Sequence, residues 1–259
     1  MGPRIHATAI VHPGAKLAAD VTVGAYSVIG DHVEIGAGTT IGAHALISGP
    51  TTIGRENKIF GFVSLGEEPQ DKKYAGEPTR LEIGDRNTIR EFCTFNRGTS
   101  QDVGVTRVGN DNWIMAYAHL AHDCQVGNHT IFANNAQLAG HVHVGDYAIL
   151  GGFTVVHQFA HIGAHSMTAM GTILLQDLPA FVTAAGNTAK PFGINSEGLK
   201  RRGFSTDDIS AIKSSYKALY KSGLSLAEAT AAIEAKLNDC PALKILLDSL
   251  AKSTRGIIR

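Results

Sequence analysis

The sequence predicts a mostly β chain with a small α portion: a left-handed parallel β-helix over residues 1–190, then a C-terminal α-helical domain over 191–259. Three observations predict it. Aliphatic residues recur every six positions. Glycine supplies 29 of 259 residues, about 11% against a usual ~7%, with no Gly/Ser-rich linker to hold the surplus. The repeat stops near Pro191, where helix-capping signals begin.

The repeat starts at Ile5 and passes through Val11, Leu17, Val23, Ile29, Ile35, Ile41, Ile47, Ile53 and Ile59 to Leu65 without a slip. Four residues after each aliphatic stands a small or β-branched residue, as in Ala9, Ala15, Val21, Ser27, Val33 and Thr39. A period of six fits neither a helix nor a simple alternating strand. It fits a short β segment plus a turn, three of which close a triangular coil of 18 residues. Coils then stack at about 4.8 Å, the interstrand spacing of a sheet. The aliphatic fills the interior, the small residue sits near a corner, and the frequent following glycine (Gly24, Gly36, Gly42, Gly54) is expected to supply turn dihedrals. Burying each aliphatic contributes roughly 1.5–3 kcal/mol before chain entropy is set against it, and only the stack forms a core. The left hand follows from the hexapeptide motif itself.

Two interruptions follow. Residues 66–80 carry two prolines and no matching aliphatics, and residues 100–107 form a second gap. Both are expected to be loops thrown out from the prism. Between them the register returns at Ile83, Ile89 and Phe95; it shifts by one before resuming at Val108 and continuing to Ile162. Cys93 and Cys124 occupy the small position and read as core filler. Beyond Pro191, Ser205 with Asp208 and Ser225 with Glu228 mark two helix starts, and Pro241 opens a third helix.

The charge is 23 basic against 23 acidic residues, which argues against a nucleic-acid surface. The neutrality is uneven: residues 191–259 hold 11 basic and 7 acidic residues, net +4, leaving −4 for the rest. Lys200-Arg201-Arg202 is the densest basic cluster. No stretch approaches the ~18 apolar residues of a membrane span, so no transmembrane segment is expected. Three scattered cysteines without a CxxC pair suit a reducing, cytoplasmic setting.

Of the twelve histidines, His6, His12, His32, His44, His129, His161 and His165 fall singly at predicted turns, where exposure is expected. His119, His122, His141 and His157 lie beyond the second loop. Stacking by 18 puts His122, Gly140 and Gln158 in one column, with Asp123 and His141 in the next. Gly140 leaves a slot beside His122, and a histidine with an adjacent carboxylate suits a general base; a surface histidine is the alternative. A zinc site on the pattern of the β-helical carbonic anhydrases needs a His pair five apart, and none exists here. No metal is expected.

The segments 71–80 (DKKYAGEPTR), 118–124 (AHLAHDC), 138–142 (LAGHV), 156–159 (VHQF) and 186–204, with Pro191-Phe192-Gly193-Ile194-Asn195-Ser196-Glu197-Gly198-Leu199-Lys200-Arg201-Arg202, carry a specific resemblance. The chain resembles, over essentially its whole length, the cytoplasmic UDP-N-acetylglucosamine O-acyltransferases that begin lipid A synthesis in Gram-negative bacteria. The resemblance implies a homotrimer with active sites between subunits. It implies transfer of a 3-hydroxyacyl group from acyl carrier protein to the sugar 3-hydroxyl, with no cofactor. His122 would be the general base, Asp123 its orienting partner, and the Gly140 N–H an oxyanion donor. Asp71, Lys73, His141, His157 and Gln158 would hold the sugar and reacting groups, with His119 near the cleft. Asn195, Glu197 and Arg202 would hold the uridine and phosphates, and the cluster around Arg201 would face the acidic carrier protein.

Two positions depart from the family pattern. Asn96 stands in Thr94-Phe95-Asn96-Arg97-Gly98 where many members have His, which leaves open a 3-hydroxyl or a 3-amino acceptor. Met170 stands where the family has Gly on the floor of the acyl groove. The longer side chain predicts a chain of about ten carbons over about fourteen. Two rival readings remain: the related pathway N-acyltransferase, which carries a uridine-binding domain ahead of its β-helix, and a non-catalytic carrier-binding scaffold.

Overall fold

A computed structural model describes residues 2–259. It contains the left-handed parallel β-helix with a helical tail. Strands of two to five residues stack into three sheets of eleven, nine and eight strands, and each chain turn visits all three in order. Successive coils pair 18 residues apart, as Ile29 with Ile47 and Leu120 with Leu138. Across the two loops the offset grows: Ile59 pairs with Ile89, 30 apart, and Ile89 with Ile114, 25 apart. The loops therefore add 12 and 7 residues beyond a regular coil, and the second number, one more than a six-residue unit, accounts for the register shift.

The predicted aliphatics form the interior. From Val23 to Leu174 they are nearly inaccessible, whereas Ile5 at the open N-terminal end of the stack is 41% exposed. The small positions are interior too, and where asparagines occupy them they form a buried ladder. The Asn57 Oδ1 accepts from Asn87, the Asn87 Oδ1 from Asn112, and the Asn112 Oδ1 from the amide and hydroxyl of Thr130. Cys93 and Cys124 are buried core, and burial pushes each thiol up to about 12. Phe132 is completely enclosed. Phe132→Ala is expected to lower stability by about 3–5 kcal/mol, measured as a reduced urea midpoint; a shift below 1 kcal/mol would show that the coils close over the void.

The glycine expectation needs correcting. The left-handed turn position, three residues after the aliphatic, is glycine at Gly38 and Gly171 but elsewhere is held by larger residues: Tyr26, His44, Phe62, Phe92, Tyr117 and Phe153 all have φ between 57° and 64°. The glycines directly after the aliphatics are instead required by close approach. A Cβ on Gly24 would lie 2.6 Å from the Ala43 amide nitrogen, and one on Gly36 2.7 Å from the Gly54 carbonyl carbon, each on the next coil.

Other boundaries move slightly. Residues 105–107, assigned to the second loop, belong to the strand Val105–Val108, so the loop closes at Gly104. The division at 190/191 falls inside the strand Lys190–Ile194, which turns back antiparallel on Val182–Ala185. Helix α1 (Ser196–Arg201), not foreseen, follows directly, then α2 (Thr206–Tyr220), α3 (Leu226–Glu234) and α4 (Leu243–Ala251). Ser205 with Asp208 and Ser225 with Glu228 form the two predicted capping boxes. Phe181 and Ala180 from the last coil pack with Leu199, Ile212, Ile233, Leu243 and Leu246 in a second core. The buried Asp177 carboxylate accepts from the amides of Thr254 and Arg255 and the Ser253 hydroxyl, fastening the C-terminal segment to the prism.

Candidate active site

The corner between the second and third sheets gathers His122, Asp123, Gly140 and His141. Asp123 and His141 occupy the same left-handed turn position one coil apart, with φ of 60° and 62°. His122 Nδ1 lies 3.0 Å from Asp123 Oδ2. Asp123 is fully buried, and its carboxylate accepts from the Thr99 amide at 3.0 Å and the Thr99 hydroxyl at 2.6 Å. Burial works to raise this carboxyl, but the bonds from His122 and Thr99 outweigh it and hold the pKa below the usual carboxylate value. Asp123 therefore stays charged and accepts the Nδ1 proton of His122, leaving Nε2 as the acceptor nitrogen.

The predicted slot at Gly140 exists and is filled by the His122 ring. A Cβ there would lie 2.5 Å from His122 Cε1 and 2.7 Å from Nε2. The Gly140 carbonyl accepts from the Phe159 amide at 3.0 Å, while no acceptor among the described residues engages its N–H. His141 stacks on Phe159 with centroids 4.3 Å apart and meets the His122 ring edge-on at 4.9 Å. His119 bonds Thr94 Oγ1 at 2.7 Å, and burial lowers its pKa below the ordinary histidine value.

Two contributors escaped sequence reasoning, and both come from the second loop. Thr99 steadies Asp123, and Asp102 Oδ2 lies 2.6 Å from His141 Nδ1. The gap in the hexads was the available signal, but only the folded loop shows which of its residues turn back onto the corner. Arg97 acts similarly for the first loop, donating to the Gly66 carbonyl and the Tyr74 hydroxyl at 3.0 Å each. The buried Asn96 Nδ2 donates to the Glu68 carbonyl at 2.8 Å, so this departure from the family pattern braces the loop carrying Asp71 and Lys73. Asp71 is half-buried and Lys73 exposed; they touch each other, Lys73 N donating to Asp71 Oδ1, rather than His122.

His157 and Gln158 line a shallow hollow of about 310 Å³ with Ala139, Val155, Ile173, Leu174 and Leu175, next to Gly140 along the chain turn. The remaining predicted residues gather elsewhere, at the tail. Asn195 is buried, caps α1 by accepting from Gly198 N, and donates to the His165 carbonyl at 3.1 Å. Arg202 lies over the Tyr147 ring and points an N–H at His165 Nδ1, 3.3 Å away. Burial, reinforced by Arg202, lowers the His165 pKa to about 4, so this imidazole is neutral and can accept. Glu197 and Arg201 are exposed, Glu197 paired with Lys200 at 2.8 Å. Two turn histidines expected at the surface are not there: His165 is 7% exposed between Tyr147 and Phe181, and His161 lies in a strand, partly buried. Met170 stands 78% exposed at the corner between the first and second sheets, so it and His122 flank opposite edges of the second sheet.

The chain is similar to known proteins over nearly its whole length. Residues 177–258 match the family model for UDP N-acetylglucosamine O-acyltransferase, domain 2, and residues 2–37 and 106–140 match the bacterial transferase hexapeptide model. The acyl-(acyl-carrier-protein)–UDP-N-acetylglucosamine O-acyltransferase of Thiobacillus denitrificans is 65% identical over 98% of this chain and 99% of its own. The Herminiimonas arsenicoxydans enzyme of the same name is 62% identical over the same shares. Among solved structures, the UDP-N-acetylglucosamine O-acyltransferase of Moraxella catarrhalis superposes with a TM-score of 0.96 at 44% identity, covering 98% of this chain and 99% of its own. That of Francisella novicida gives 0.97 at 41%, covering 98% and 94%.

Proposed function

The chain belongs to the UDP-N-acetylglucosamine O-acyltransferase family, and from that membership we propose that His122 is the base through which it acylates the sugar 3-hydroxyl. The chain is an acyltransferase. Its donor is an acyl-carrier-protein thioester and its acceptor UDP-N-acetylglucosamine, the reaction being the first step toward lipid A. The observation that carries the reading is the His122–Asp123 pair, with the imidazole lying against Gly140.

In this reading Nε2 of His122 takes the proton as the sugar oxygen attacks the thioester carbonyl. The tetrahedral intermediate's negative charge meets the free Gly140 N–H, and collapse expels the carrier thiolate, which recovers the proton from His122. His141, His157, Gln158, Asp71, Lys73 and His119 hold the sugar and reacting groups. Asn195, Glu197 and Arg202 hold the uridine and phosphates. The basic patch at Arg201, in a tail of net +4, receives the acidic carrier.

The site is completed by other copies in a homotrimer. Tyr26, His44, Phe62, Phe92 and Tyr117 stack ring on ring, 4.8–5.2 Å apart, down the corner between the first and second sheets. All five are exposed, and Phe153 continues the column. An apolar ladder of this length is the signature of a protein interface. Met170 shares that corner, so a groove joining it to a His122 corner spans two subunits.

Mass spectrometry of products from UDP-N-acetylglucosamine, its 3-amino analogue and a panel of 3-hydroxyacyl carriers tests the reading. The hydroxyl acceptor and a chain of about ten carbons should be preferred. Met170→Gly should shift preference toward about fourteen carbons, by roughly 0.8 kcal/mol or about fourfold per admitted methylene. An unchanged preference removes Met170 from the groove, and acylation of the amino sugar alone replaces the acceptor.

A further inference from the structure

The same corner gathers a metal-binding donor set that overlaps the proposed catalytic pair. Ligand atoms of His122, Asp123 and His141 lie within 4.8 Å of one another. His122 Nδ1 is 3.0 Å and His141 Nδ1 3.9 Å from Asp123 Oδ2, and Asp102 Oδ2 is 2.6 Å from His141 Nδ1. The two rings stand at 86° to each other, so their Nδ1 atoms approach the carboxylate from different directions. Tetrahedral Zn2+ with bonds of about 2.0–2.1 Å separates its donors by about 3.3 Å, which the Asp123 distances bracket. Asp102, at 2.6 Å, must withdraw from His141, and it stands exposed on the second loop, while Thr99 continues to donate to Asp123. Two imidazoles and two carboxylates form a donor set of the kind zinc selects. The carbonic anhydrase pattern is absent because these histidines come from adjacent turn positions on neighbouring coils and the second carboxylate from a loop.

We propose that His122, Asp123, His141 and Asp102 form an inhibitory Zn2+ site. The ion takes the place of the proton between His122 Nδ1 and Asp123. A neutral imidazole ligated through Nδ1 carries its proton on Nε2, so the nitrogen that should accept the sugar proton becomes a donor. The occupied site is catalytically silent and chelation restores it. This consequence rests on His122 being the base; the binding site does not.

Titration calorimetry of the full-length protein with ZnCl2, the visible spectrum with Co2+, and activity with Zn2+ before and after EDTA together test the proposal. Expected are one ion per chain, the strong absorption of tetrahedral Co2+, and inhibition that EDTA reverses. Asp102→Asn and His141→Ala, checked for unaltered thermal unfolding, should each weaken Zn2+ binding at least about tenfold. No binding at micromolar Zn2+, or binding that neither substitution weakens, overturns the site. Binding that fulfils the spectroscopic expectations without inhibition upholds the site and overturns His122 as the base.

Discussion

Replacing His122 by alanine is expected to lower kcat by about 10²–10⁴-fold while leaving KM for the nucleotide sugar nearly unchanged. The size follows from what the ring is placed to do. Removing a positioned base deletes a contribution made in the transition state, and its loss appears in kcat rather than in ground-state binding. The ring is largely enclosed, with 15% of its side chain exposed, and it fills the space over Gly140. Its removal therefore leaves a pocket of imidazole size beside a charged carboxylate. Added imidazole should recover part of the lost rate in His122→Ala, whereas a purely structural defect would not respond. A tenfold loss or less, with the fold intact by circular dichroism, would transfer the base to another residue.

How much of this was legible before folding depends on distance along the chain. The prism was legible because its rule is local and repeated: every aliphatic from Val23 to Ile162 predicted inside is inside. The column of His122 and Gly140 was legible for the same reason, since an 18-residue coil converts sequence separation into spatial adjacency. Three features obeyed no such arithmetic. Asp102 and Thr99 reach the corner through an irregular loop, whose path depends on tertiary contacts such as the Thr99–Asp123 bonds. His165 was expected at the surface because its turn position faces outward on other coils, but the helical tail closes over that end and sets Phe204 edge-on against it. Glycine was assigned to the left-handed turns because it adopts that conformation most easily. In this fold neighbouring coils supply stacking partners for Tyr26 and Phe92 at that position, Gly38 and Gly171 being exceptions there, and the glycines directly after the aliphatics stand where two backbones nearly touch.

That distinction yields a second large effect, because the same substitution should have opposite consequences at two glycines. In Gly24→Ala the new Cβ meets backbone of the next coil, at 2.6 Å from both the Ala43 nitrogen and the Gly42 carbonyl carbon. Backbone inside a sheet ladder cannot yield, so stability should fall by about 1–3 kcal/mol while activity per folded molecule is retained. In Gly140→Ala the three atoms nearest the new Cβ all belong to the His122 ring, at 2.5 Å for Cε1 and 3.1 Å for Nδ1. A ring can swing away, so unfolding should shift by less than about 1 kcal/mol. The swing, however, pulls Nδ1 off Asp123 and moves Nε2 from its working position. A displacement near 1 Å costs about 10²-fold in rate, and kcat should fall by at least that much. Urea unfolding and steady-state kinetics on the two variants, measured together, separate the two roles. Were Gly140→Ala to lose stability and keep its turnover, the glycine would be there for the packing of coils, and the space beside His122 would have no catalytic meaning.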